Sequence, residues 1–360
     1  MFRLPQPRSS VIAPPMPIFR LFPIYVLCLT ACAADPAGSA SDRGSSPQSG
    51  LNSQEPSSVM VVAYILYDGE QQLDANGNPL GFVSSGTIIG PHHVLTVEHG
   101  LMPPQEEVEA TLGKTVDPAL LELRPVVYAS DVATSEAEVA VEQAIFNDTA
   151  PTTETQDESD VAILITSREF TAEKFASLDF SALSLPTLDT PWPCGYEMVG
   201  YGAPLSEQVK RTVGAVCLAP LDFVESENHR SIVNQHVLDT YGVDVSNTEV
   251  PRPAKNVLPT VAPYSPFIES WSQPFYGPLF PATNCKGASG GGIYRVGTPS
   301  QERALMGMHH GVWWPIWGDM NGIIMSIGDG CSPVDSEYTI GWYSSIATYA
   351  DFIRSTLASY

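Results

Sequence analysis

Gly287-Ala288-Ser289-Gly290-Gly291 sets a serine among glycines. Glycine lets the backbone take conformations that lift a hydroxyl clear of the chain and aim neighbouring N–H groups at one point. An acyl-transfer nucleophile needs that arrangement: its oxygen attacks a carbonyl, and the oxyanion that forms needs donors. It also needs a base to take its proton and a carboxylate to hold that base in one tautomer. Of the seven histidines, His99 stands out because the apolar run His92 to Val97 leads directly into Glu98-His99-Gly100. Asp160 stands out among its acidic neighbours because it alone immediately precedes the apolar run Val161 to Thr166. The three residues occur in the order His, Asp, Ser.

The pentapeptide also satisfies G-x-S-x-G, the strand-to-helix elbow of α/β-hydrolases, where the acid and then the histidine follow the serine. Here the downstream histidines, His309 and His310, come before Asp319, Asp329, Asp335 and Asp351, so that order fails. The elements around the three residues read as strands. Short β-rich runs at 59–67, 85–90, 92–97, 161–166, 196–202, 211–219, 291–296 and 304–312 are each bounded by Gly, Pro, Asp or Asn. With 28 Gly, 32 Pro and only 16% charged residues, the composition favours many short strands and turns over long amphipathic helices. Helical spacing is seen only near the end, where Ile346, Tyr349, Ala350 and Ile353 share a side. The expected fold class is all-β.

Forty acidic against 17 basic residues give a formal charge of −23, which removes the electrostatic footprint of a nucleic-acid binder. Residues 1–31 carry Arg3, Arg8 and Arg20, no acid, and an apolar stretch too short to span a membrane. This reads as a signal peptide. Its ending, Leu29-Thr30-Ala31-Cys32, resembles the bacterial lipobox and implies lipidation of Cys32; an ordinary cut near Ala33 would give a secreted product instead. Residues 32–58 are rich in Ser, Gly and Pro and read as a linker without a core. Export puts Cys194, Cys217, Cys285 and Cys331 where disulfides persist. Four cysteines allow three pairings.

Five segments, in order, resemble the chymotrypsin/trypsin-type serine proteases, and the resemblance extends from about Val59 to the C-terminus. Thr87 to His99 resembles the strand, turn and strand that end in T-A-A-H. Asp160-Val161-Ala162-Ile163-Leu164 resembles D-I-A-L-L, and Val199-Gly200-Tyr201-Gly202 resembles the G-W-G of the second barrel. Cys285 to Gly291 resembles C-x-G-D-S-G-G, and Tyr343 to Arg354 resembles the terminal helix motif. The resemblance implies two antiparallel six-stranded β-barrels, at about 59–185 and 186–343, with a C-terminal helix at 344–358. It implies hydrolysis of peptide bonds in protein or peptide substrates by a monomer, with no metal or cofactor. His99 is then the general base, Asp160 its orienting carboxylate and Ser289 the nucleophile, with the N–H groups of Gly287 and Ser289 as the oxyanion hole.

The same resemblance implies a Cys285–Cys331 disulfide, which leaves Cys194 with Cys217. It assigns the substrate pocket to Thr283, Asn284 and Gly341, and brings in His309 and His310 from the strand beside it. Glutamyl endopeptidases are similar in placing a histidine near the position of His309. Two departures stand out. The family's disulfide around the catalytic histidine falls near Ser84 and Gly100, so packing must hold that loop. Ala288 stands where most relatives carry the Asp that pairs with a freed amino terminus, so activation of that kind is not expected. A catalytically inactive homologue, acting as a surface binding lipoprotein, is the alternative that this substitution raises.

Overall fold

The computed structural model describes residues 57–129, 136–147, 160–190, 192–202, 210–224, 226–242, 244, 246, 257–261, 288–296, 303–313 and 340–360. The first seven strands are β1 (Ser58–Tyr67), β2 (Glu70–Gln71), β3 (Gly81–Gly90), β4 (His93–Thr96), β5 (Leu121–Tyr128), β6 (Glu138–Phe146) and β7 (Ala162–Thr166). All their pairings are antiparallel, in the order β1-β3-β4-β7-β6-β5, and β5 returns to β1, closing a six-stranded barrel with the short β2 added at its edge. The second group is β8 (Tyr196–Gly202), β9 (Lys210–Leu218), β10 (Val257–Val261), β11 (Gly292–Arg295), β12 (Ala304–Trp313) and β13 (Ile340–Ser345). It closes in the order β10-β13-β12-β11-β8-β9. Two closed antiparallel six-stranded barrels followed by a C-terminal helix are the chymotrypsin-like fold.

Period-two alternation explains why these strands are apolar almost throughout. On β7, Ala162 and Leu164 fill the first barrel with Val59, Val61, Ile88 and Val94. The alternate residues Ile163 and Ile165 face out into a second cluster with Leu95, Val199, Tyr294, Leu305 and Met308, drawn from both barrels. β1 behaves alike, with Val59 and Val61 inside and Met60 and Val62 against Tyr201 of β8. The barrels therefore share a core, and each fully buried Ile or Leu in it contributes about 1.5–3 kcal/mol. Polar contacts cross the same seam. Tyr201 N–H donates to Ser85 Oγ at 2.7 Å, and the Tyr294 hydroxyl lies 3.2 Å from Ser57 Oγ and 3.3 Å from Thr87 Oγ1.

The terminal helix starts later than the apolar spacing suggested. Ser344 and Ser345 are strand residues, paired with Met308 and Gly307 of β12, and a turn at Ile346 to Tyr349 precedes the helix Ala350–Ser359. Ile346 and Tyr349 of the turn and Ile353 of the helix all enter the shared core, so one apolar stripe serves a turn and a helix. Three further α-helices among the described residues, Gln105–Leu112, Leu221–Val224 and Glu227–Tyr241, were not expected. The first and third are polar in sequence, and the first buries only Val108; the second, Leu221–Val224, is a single, largely apolar turn that buries Phe223. The barrel limits are Ser58–Thr166 and Tyr196–Ser345, joined by a segment that touches the second barrel through the Leu178–Leu305 bridge. Cys194 and Cys217 form a disulfide with Cα atoms 3.9 Å apart, linking the approach to β8 with β9. Cys285 and Cys331 lie outside the described residues, as does Cys32.

Candidate active site

β4 ends at Thr96, and the chain turns immediately, with Leu101 and Met102 N–H donating to the Glu98 carbonyl. His99 sits in this turn. No disulfide holds it. Instead Leu101 is buried in the first barrel, and Gly100 lies so close to Ser84 that an added Cβ would stand 2.8 Å from the Ser84 Cβ. Close packing at a glycine does the work of the missing staple.

Asp160 is buried at the entrance to β7, 5% exposed. Its Oδ1 accepts the His99 backbone N–H at 2.8 Å and its Oδ2 accepts the His99 Nδ1–H at 2.7 Å. The carboxylate therefore fixes both the backbone and the ring of His99. An ionised carboxylate accepts only, so the proton of the neutral ring resides on Nδ1 and Nε2 is left free to act as a base. Burial by itself pushes the Asp160 carboxyl up, but the imidazoles of His310 and His99 outweigh it and hold it below the usual carboxylate range.

His310 supplies the feature that the sequence did not disclose. Its Nδ1 lies 2.8 Å from the same Asp160 Oδ2, and its ring is 5.6 Å from that of His99, centroid to centroid. His309 takes the opposite course, being 2% exposed and set edge-on to Tyr343 at 5.1 Å. Burial, with the nearby charges of His310 and His99, pushes its imidazole down to about 3. The pairing of β12 with β13 shifts register between His309, opposite Tyr343, and Gly311, opposite Trp342, so His310 has no partner residue in β13 and its ring parts from that of His309 there.

Ser289 is half-buried between Ala288 and Gly290. Gly290 has φ +82°, and a Cβ there would collide with the Ser85 carbonyl oxygen and come within 2.8 Å of Thr96 Oγ1. Only glycine fits. The Ser289 carbonyl accepts Ser85 N–H at 2.6 Å, while Thr96 Oγ1 donates to Ser85 O at 2.7 Å. Ser85 thus ties the strand that leads to His99 and the loop that carries Ser289 to one residue. On the other side, Gly290 N–H donates to His309 O and His309 N–H to Gly291 O, each at 2.7 Å. Ala288 is fully buried with Met198, Val216 and Ile293, an apolar setting that needs no ion pair.

Gly341 is a buried residue of β13 opposite Val312, and its carbonyl accepts from Thr260 Oγ1 at 3.4 Å. Gly287, Thr283 and Asn284 lie outside the described residues. Ser85, Thr96 and the His310 contact were missed. No signal in the sequence marked the His310 contact, which arises at a register shift of β12. His99, Asp160 and His310 are also the one cluster among the described residues whose ligand atoms, within 4.8 Å of one another, lie close enough to hold a metal. Their N···O distances of 2.7 and 2.8 Å are those of hydrogen bonds. Ligands around a tetrahedral zinc stand about 3.3 Å apart. Hydrogen bonding accounts for the cluster.

No protein-family model matches the chain, and no curated protein matches it. Among solved structures it is similar to an HL collagenase, at 14% identity and a TM-score of 0.44, over 84% of this chain and 94% of that one. The fold assignment rests on the strand pairing and not on that likeness.

Proposed function

We propose that the protein is an exported serine endopeptidase that hydrolyses peptide bonds through an acyl-enzyme. The observation that carries the reading is the double clasp of Asp160 on His99, N–H to Oδ1 at 2.8 Å and Nδ1–H to Oδ2 at 2.7 Å, in a two-barrel fold. It leaves one histidine nitrogen basic, and the loop that carries Ser289 is bonded to Ser85 of the strand pair that leads to His99.

In this mechanism Ser289 Oγ attacks the scissile carbonyl while His99 Nε2 takes its proton. Asp160 stabilises the imidazolium, which then protonates the leaving amine. The N–H groups of Gly287 and Ser289 receive the oxyanion; one such donor lowers the barrier by about 2.7–4 kcal/mol in enzymes of this kind. Water, activated in turn by His99, releases the acyl group. The site uses no metal or cofactor. Thr283, Asn284 and Gly341 form the pocket for the residue before the cleaved bond, and none of them is charged. His309, buried and held neutral, adds no cation for an acidic side chain. The signal at 1–31 supports export, and the lipobox-like ending at Cys32 supports a lipid anchor in the cell envelope, with secretion after an ordinary cut as the alternative; the enzyme is a monomer that acts on protein or peptide substrates.

A fluorophosphonate probe tests this reading. Wild type should take up one label at Ser289 and degrade denatured casein, and Ser289→Ala should do neither. A folded wild type that does not label would favour a binding lipoprotein on the same scaffold. Labelling with ester hydrolysis but intact casein would make it an esterase.

A further inference from the structure

Asp160 Oδ2 accepts from two imidazoles, and the mechanism above uses only one. The second comes from the other barrel, from the strand whose preceding residue is bonded through its backbone to Gly290 and Gly291. We infer that His310 is a positioning residue that sets how readily His99 takes up a proton, by sharing the Asp160 carboxylate with it. The consequence for catalysis rests on the protease reading; the coupling itself does not.

The argument is electrostatic. Two N–H donors on one oxygen divide its negative charge, so each ring is stabilised less in its protonated form than if it held the carboxylate alone. When His310 is itself protonated, its charge lies 5.6 Å from the His99 ring and opposes a second proton there. At the dielectric of bulk water that repulsion already moves a titration by about half a pH unit, and more where water is excluded. Among the described residues, the titratable groups acting on Asp160 are His310 and His99, and those acting on His309 are the same two. Glu98, next to His99 in the chain, is a further acid at this turn. The shared oxygen and the 5.6 Å separation couple the two rings, so that a charge on one opposes a proton on the other. Replacing His310 leaves the whole carboxylate to His99 and removes the opposing charge.

The test uses the intact protein and three substitutions. Proton NMR should show two low-field N–H resonances, one lost in His99→Ala and the other in His310→Ala. The His99 ring protons should titrate at a pH at least half a unit higher in His310→Ala than in wild type. His310→Asn, which keeps an N–H donor without a titrating charge, should lie between them and guards against a folding defect in the alanine variant. In the active enzyme the acid limb of the labelling rate should move up by the same interval. A single low-field resonance, or a His99 titration unmoved by both His310 substitutions, would overturn the inference and leave the protease reading standing. Coupled titrations in a protein that fluorophosphonate does not label would uphold the inference and overturn the protease reading.

Discussion

His309 and His310 are adjacent in sequence and opposite in chemistry, because one faces the interior of the second barrel and the other the seam between barrels. Inside, an imidazole meets Tyr343 and apolar neighbours, so burial makes its charged form costly and it stays neutral. At the seam, the same side chain meets a buried carboxylate and becomes part of a charged network. Residue type alone therefore does not decide function. The strand face does, and so does the presence of an opposite charge already desolvated there.

The contrast can be broken at several points. The largest effect should come from the seam: Asp160→Asn cannot hold His99 in the tautomer that leaves Nε2 basic, and the labelling rate at Ser289 should fall by about 10^4-fold. Rapid-quench labelling of the folded variant measures it. Next is Gly290→Ala, which puts a side chain at positive φ against Ser85. Backbone strain alone costs about 1–3 kcal/mol, and the collision adds to it, so urea denaturation should show a loss at or above the top of that range. The barrel interior comes third. With His309 pushed down to about 3 in the native state and near 6.5 when unfolded, the unfolded chain binds the extra proton as pH falls below about 6.5. The stability associated with His309 is thus complete above that value and is lost progressively down to about 3. Between pH 7.5 and 5 the loss should be about 2 kcal/mol, and His309→Leu should flatten this segment of the stability curve. His93, also buried and lowered by burial and by His92, contributes in the same direction and provides the residual slope. The smallest effect should come from chelation: dialysis against EDTA should leave labelling unchanged, since hydrogen bonds hold the cluster.

The strands were legible because both faces of β1 and β7 are buried, so runs such as Val59 to Tyr67 read as continuous apolar segments. His99 and Asp160 were legible because each lies at the end of such a run, where a barrel delivers side chains to its rim. The Cys194–Cys217 disulfide also agrees with expectation. The helix Glu227–Tyr241 was not legible, since its few apolar residues are scattered among polar and charged ones. Ser85 escaped notice because it ties Ser289 and Thr96 through its backbone groups, and main-chain contacts have no residue signature. The His310 contact depends on two barrels meeting, a distance in space that spacing along the chain does not encode.

Trapping the covalent intermediate tests the central claim most directly. Wild type mixed with a slowly deacylating peptide ester, quenched in acid within milliseconds to seconds and examined by intact-protein and peptide mass spectrometry, should carry one acyl group, located on Ser289. A folded, substrate-binding protein that carries no acyl group, or carries it on another residue, would contradict the account.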